Sequence, residues 1–139
     1  KVLEFNARFG DPECQPLIAR LESDVIELFH ACATGSIHRV DVRWSPAHAI
    51  TVVLAAAGYP GSPRKGDTIT GVEAAGRLGG VTIDQAGTAT QEGKLVTAGG
   101  RVLGVTAVGE TRAEARKRAY EAASLIEFDG KQMRADIGA

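Results

Sequence analysis

This sequence of 139 residues is marked first by what it does without. It has only two cysteines, Cys14 and Cys32, too few for a disulfide framework. Both fall on segments of helical pattern and read as reduced thiols of a cytosolic protein. Sixteen basic and 17 acidic residues leave a net charge of −1, which removes the electrostatic case for nucleic acid or an anionic membrane as partner. No apolar run approaches the roughly 18 residues of a spanning helix, and no basic-then-apolar leader marks export. A cytoplasmic protein is expected. The three histidines, His30, His38 and His48, are scattered, with no Cys or His at zinc spacing. Gly104-x-x-x-x-Gly109 lacks the Lys-Ser/Thr that would make it a Walker-type phosphate loop. No fixed-period repeat, low-complexity segment or nucleophile–base pair stands out.

What is present is ordinary for a soluble globular chain, 44% hydrophobic and 24% charged, except for its 17 glycines. These cluster after residue 57 and predict tight turns between short strands. Asp11 is a candidate cap and Pro12 a candidate first residue of a helix. Leu17, Ile18, Leu21, Val25, Leu28, Phe29 and Cys32 follow at helical spacing, with Ser23 a second possible cap and Gly35 a natural end. Residues 36–47 read as a connection, extended around Val40–Trp44. Ala49–Ala57 is an apolar run of strand length, Gly58–Gly66 a loop, Asp67–Thr70 a short extended piece and Val72–Leu78 a helical turn. Val81–Gln85 alternates as a strand. Lys94–Thr97 and Arg101–Val108 read as strands joined by a hairpin at Ala98-Gly99-Gly100. Thr111 and Glu114 form a capping box for the clearest helix, with Ala115, Ala119, Ala122 and Ile126 on its apolar stripe and Arg112, Arg116, Lys117 and Glu121 facing water. Residues 131–139 form a polar tail anchored by Ile137.

The stretch that organises this pattern is Lys1–Gln15, KVLEFNARFGDPECQ. Residues 1–7 read as a strand that stops at Gly10-Asp11-Pro12. Alternate side chains of a strand share a face, so Glu4, Asn6 and Arg8 point one way and Leu3 and Phe5 the other, into a core. A carboxylate and an amide oxygen side by side are hard ligands of the kind Mg²⁺ takes together with water and substrate phosphates. Arg8 is planar, permanently charged and matched to phosphate or carboxylate. The same face could equally be the wet side of a sheet. The chain opens within this strand and without Met, which suggests a C-terminal portion of a longer enzyme.

Residues 4–15, EFNARFGDPECQ, resemble the signature run EFNxRFGDPExQ of the phosphoribosylamine–glycine ligase (glycinamide ribonucleotide synthetase) family. The Glu-x-Asn pair also resembles the metal-binding strand of ATP-grasp ligases. VVLAAAGYPGSPRKGDTITG (52–71), AGT (86–88), GGRVLGVTAVG (99–109) and EFDGKQMRADIGA (127–139) are similar to later segments of the same family, in order. Two departures stand out. Asp84-Gln85 replaces the usual Phe-His before AGT, and Ala56-Ala57 replaces Ser-Gly before GYP.

The resemblance implies an ATP-dependent ligase of de novo purine synthesis that joins glycine to 5-phosphoribosylamine through an acyl phosphate. By position, Glu4 and Asn6 would hold Mg²⁺ or Mn²⁺ on the nucleotide phosphates. Arg8 would contact phosphate or an anionic group of a substrate as the catalytic candidate, and Asp11 would reach a substrate or cap the helix. Loops Gly58–Gly61 and Gly99–Arg101 would lie near the substrate cleft. The implied fold is α+β: the C-terminal end of an ATP-grasp domain (1–36), a linker (37–46) and a small antiparallel-sheet domain with one long packed helix (47–139). Nothing resembles the adenine-covering lid or phosphate-grasping Lys of ATP-grasp enzymes. The chain alone is therefore expected neither to bind ATP tightly nor to turn over, and the rest of the polypeptide is its expected partner. Another purine-pathway ATP-grasp ligase, or a truncated non-catalytic assembly module, are the alternatives.

Overall fold

The computed structural model describes residues 1–2 and 4–139. In chain order its elements are α1 (Cys14–Ile18), α2 (Val25–Ala33), β1 (His48–Ala55), α3 (Val72–Gly76), β2 (Val81–Gln85), β3 (Thr88–Gln91), β4 (Lys94–Thr97), β5 (Arg101–Gly109) and α4 (Arg112–Leu125), with a 3₁₀ turn at Ile37–Arg39. The longest strand, β5, is apolar on both faces and needs cover on both. It lies in the middle of an antiparallel sheet ordered β1-β5-β2. Val52 and Ile83 both stand opposite Val105, so Ile50, Val52, Leu54, Leu103, Val105 and Ala107 share one face. α4 covers that face with Ala115, Ala119, Ala122 and Ala123, all fully buried. Their small side chains let the helix lie close, and Ile126 closes the layer.

Thr111 caps α4 as expected: its Oγ1 accepts from the Glu114 N–H at 3.2 Å. The reciprocal bond is shifted by one residue. Glu114 accepts from the Glu110 N–H at 2.8 Å and pairs with Arg118. Thr111→Ala is expected to cost about 1 kcal/mol, read as a lower urea midpoint with an unchanged slope. Arg116, expected to face water, instead grips the tail. Its Nη2 donates to Ala135 O at 2.8 Å and its Nε to Ile137 O at 3.1 Å, with the guanidinium 4.8 Å from the Tyr120 ring centre. The Tyr120 hydroxyl donates to Arg134 O and accepts from the Ile137 N–H, which seats Ile137 against the core. In the same tail, the Arg134 hydrogen bonds hold the Asp136 carboxyl below its ordinary value.

The expected hairpin at Ala98-Gly99-Gly100 is not formed. β4 pairs with β3 in a separate two-stranded sheet, and residues 98–100 carry the chain across to β5. Both sides of β5 are taken by β1 and β2, so β4 cannot pair with β5. The actual hairpin turns at Glu92-Gly93, both at positive φ (50° and 76°), the geometry of a two-residue loop. Asp67–Thr70 is extended as expected and bridges the two layers, Thr68 to Val96 and Thr70 to Glu127.

The N-terminal third differs more. Among the described residues none pairs with residues 4–9 as a ladder, and without a neighbour strand the stretch is irregular rather than β. Leu3, expected to point into a core, lies outside the described residues. Phe5 is 89% exposed instead of buried. Asp11 does not cap and Pro12 does not open a helix: α1 begins at Cys14 after Glu13 and has no side-chain cap. The cap of α2 is Asp24, accepting from the Ile26 and Glu27 N–H groups, not Ser23. The Ser23 Oγ accepts from the Arg43 N–H at 2.7 Å, one of several bonds that stitch residues 20–23 to 43–45. Gly35 ends α2 at φ 69°, as expected. Phe9 leans on Phe29 of α2 with ring centres 5.6 Å apart.

Candidate functional site

Glu4, Asn6 and Arg8 are exposed and open together onto one concavity of about 620 Å³, whose wall continues through Gly10, Glu13 and Leu17. The Nη1 of Arg8 donates to the Phe9 carbonyl at 2.9 Å. Among the described residues, no ion pair engages Glu4 or Arg8. Nor does any group of three His, Cys, Asp or Glu residues form a metal cage there. The two oxygen donors fit a hard cation that keeps water and takes phosphate oxygens as its other ligands, which is the habit of Mg²⁺. The common strand face expected of Glu4, Asn6 and Arg8 is absent because the strand is absent. The shared concavity brings them together instead.

Asp11 follows directly on this segment and is held by two residues. Arg101 Nη2 stands 3.1 Å from Asp11 Oδ2, and Arg101 Nη1 donates to the Asp11 carbonyl at 3.0 Å. Gln15 Nε2 donates to Asp11 Oδ1 at 3.1 Å. The partner, Arg101, belongs to the Gly99–Arg101 loop singled out in the sequence, so two motifs meet that are far apart in the chain. The spacing of residues carries no signal for this contact; only the register of β5 produces it.

Two adjoining recesses run between α1 and the face of the sheet opposite α4. One, of about 260 Å³, has Asp11, Asp84, Gln85, Arg101 and Gly104 in its walls. The other, of about 360 Å³, is lined by Cys14, Gln15, Thr82, Asp84 and Thr106. Across its floor Thr51 Oγ1 and Thr106 Oγ1 are 2.8 Å apart, and the Thr106 hydroxyl reaches toward Asp84 Oδ2 at 3.5 Å. Gln15 Oε1 is buried there with no hydrogen-bond partner among the described residues. Of Asp84-Gln85, one of the two sequence departures, Asp84 therefore faces both recesses and Gln85 the smaller one. Gln15 stands at the end of the signature run 4–15, whereas nothing in the sequence marked Thr106.

The loops 58–61 and 99–101 pack together. The Ala56 N–H donates to Gly100 O at 2.9 Å, and a Cβ on Gly100 would come within 2.5 Å of the Tyr59 ring. Tyr59 and Arg101 share a third recess of about 390 Å³ with Pro12, Val53, Gln132 and Met133. Behind them two backbones cross in contact. The Gly87 N–H donates to Arg101 O at 2.8 Å, and the Ala98 and Gly99 N–H groups donate to Gly87 O at 2.7 and 3.1 Å. A Cβ on Gly87 would meet Gly99 Cα at 2.7 Å. The AGT and GGR motifs are thus one crossing point.

The comparisons with known proteins agree with this architecture. The family model described as phosphoribosylglycinamide synthetase, C domain, matches residues 49–139. A phosphoribosylamine–glycine ligase from Mesorhizobium japonicum is 52% identical over 139 residues, covering 99% of this chain and 32% of that protein. The corresponding ligase of Pseudomonas putida is 47% identical over 138 residues, covering 99% and 32%. The chain thus spans about a third of the length of the curated relatives it matches. The crystal structure of phosphoribosylamine–glycine ligase from Thermotoga maritima superposes with a TM-score of 0.74 at 39% identity, covering 97% of this chain and 32% of that one.

Proposed function

The chain belongs to the phosphoribosylglycinamide synthetase family, and from that premise we propose that it serves as the C-terminal third of a cytoplasmic ligase of purine biosynthesis joining glycine to 5-phosphoribosylamine with ATP. The observation that carries the reading is the 52% identity to a ligase of that name over 139 residues. That similarity extends beyond the matched domain into the Glu4–Gln15 segment, where the candidate polar groups lie. In this reading residues 1–36 complete an ATP-grasp domain, 37–46 link, and 47–139 form the C-terminal domain.

The chemistry needs charge control at two steps. The glycine carboxylate takes the terminal phosphoryl group of ATP, and ADP leaves. The amine of 5-phosphoribosylamine then attacks the acyl carbon, and phosphate leaves with the electron pair of the broken C–O bond. Glu4 and Asn6 would hold Mg²⁺ or Mn²⁺, and the ion supplies positive charge to the phosphoryl oxygens. Arg8, with no carboxylate partner among the described residues, would contact phosphate or the glycine carboxylate as both binding and catalytic group. Asp11 would receive the glycine ammonium. Its two oxygens offer about four acceptor positions, of which one on each is used by Arg101 or Gln15.

The test is ADP release by the full-length protein, followed with and without glycine, 5-phosphoribosylamine and Mg²⁺. Dependence on all three is the expected result. ADP release driven by a different carboxylate substrate would overturn the assignment. The 139-residue chain by itself is expected to show no turnover and no ATP binding by calorimetry at millimolar nucleotide. Turnover by the isolated chain would show that its own groups suffice.

A further inference from the structure

We propose that Arg101 is a positioning residue for the ligase reaction, holding the Asp11 carboxylate in the orientation that receives the amino-acid substrate. The proposal rests on the ligase reading above and assigns the specificity side of the same site. Arg101 stands at the start of β5, the buried central strand, at the place where the β1 register breaks between Leu54 and Ala55. From this rigid element it reaches a residue 90 positions away in the chain. Asp11 lies in an irregular stretch that leads into the short α1. A firm strand therefore clamps a soft segment.

The contact geometry is what positioning requires. The guanidinium fork takes the Asp11 side chain at 3.1 Å and the Asp11 backbone carbonyl at 3.0 Å together, so both the carboxylate and its own peptide are oriented. Gln15 Nε2 holds the other carboxylate oxygen at 3.1 Å. One donor on each oxygen leaves one acceptor direction on each for an incoming ammonium group. Arg101 and Asp11 side chains are 41% and 52% exposed, so the pair adds little to stability. A Lys in place of Arg101 keeps the charge but has no planar fork, so it would hold the carboxylate and the carbonyl as a compact point charge on a flexible stem rather than in one fixed orientation.

The experiment uses the full-length ligase with Arg101→Ala, Arg101→Lys, Asp11→Asn and the double variant Arg101→Ala/Asp11→Asn. Arg101→Ala is expected to raise KM for glycine about tenfold with KM for ATP and kcat within about twofold, the size of effect that misplacing a substrate-orienting group produces. Arg101→Lys should recover only part of the loss, and the double variant should be no worse than Asp11→Asn alone. Additive losses would mean that Arg101 acts on substrate independently of Asp11 and would overturn the proposal, as would equal rises in every KM. In the full-length protein, Arg101→Ala should also speed hydrogen exchange at the Cys14 amide, which bonds to Gly10 O at 2.8 Å beside the clamp. Unchanged Cys14 exchange would remove the clamp whatever the turnover, whereas a wild-type protein without ligase turnover would remove the functional reading while the exchange result still stood.

Discussion

Glu4→Gln and Arg8→Ala in the full-length protein are each expected, on the ligase function proposed above, to lower kcat/KM by about a hundredfold or more, the scale on which enzymes lose a single charge-stabilising group at a phosphoryl or acyl oxygen. The two should differ in kind. Glu4→Gln keeps shape and a carbonyl oxygen but removes the negative charge, so its loss should be partly recovered by raised Mg²⁺. Arg8→Ala should not respond to metal. Neither side chain supports the fold, since both are exposed and make no ion pair among the described residues. Circular dichroism and melting temperature should therefore match the wild type. Steady-state ADP release across a Mg²⁺ series checks both; wild-type kinetics for Glu4→Gln would return residues 4–8 to plain solvated surface.

The second large effect concerns the C-terminal sheet. Leu54, on β1 opposite Leu103 of β5, is fully buried on the sheet face that α4 covers. Leu54→Ala is expected to cost about 3 kcal/mol, lost transfer energy plus a cavity that the close-set alanine helix cannot collapse into, or about 10 °C in melting temperature for a chain of this size. Leu17→Ala is the matched control: Leu17 is 48% exposed on α1, and its loss should stay within about 1 kcal/mol. Thermal denaturation followed by circular dichroism separates the two. Similar melting points for both variants would mean that the sheet and α4 are not the stability-determining unit.

Much of the C-terminal half was legible in the sequence because local signals and tertiary demands agree there. The Thr111 cap, the alanine stripe of α4 and the apolar run of β1 each need only their own residues to be read. The pairing of β4 was not legible. A Gly-Gly step looks like a turn, and nothing local tells that β5 already has neighbours on both sides. The strand expected at 1–7 failed for the complementary reason: Val2 and Phe5 favour β structure, but a strand exists only against a partner, and none lies beside residues 4–9 among the described residues. At the site, the residue types of Glu4, Asn6, Arg8 and Asp11 were readable from the motif. Their arrangement was not: the concavity that gathers the first three follows the irregular path of residues 4–10 onto α1, where a strand was expected, and the Arg101 clamp on Asp11 joins residues 90 positions apart.

The crossing of Gly87 and Gly99 carries a consequence for how such a sequence can drift. A Cβ on Gly87 would lie 2.6 Å from Arg101 O and 2.7 Å from Gly99 Cα, main-chain atoms that cannot rotate away, whereas a Cβ on Gly99 would meet Gly87 Cα at 3.1 Å and needs only a small shift of that backbone. A substitution at position 87 would push apart the two backbones that deliver Arg101 to Asp11, and one at position 99 would displace them far less. A lineage that abandons Gly87 must therefore first shift the opposing backbone by other changes, while position 99 is open to a small residue. A paired library at positions 87 and 99, scored for folding, would register this as survivors that keep Gly87 but accept alanine or serine at 99.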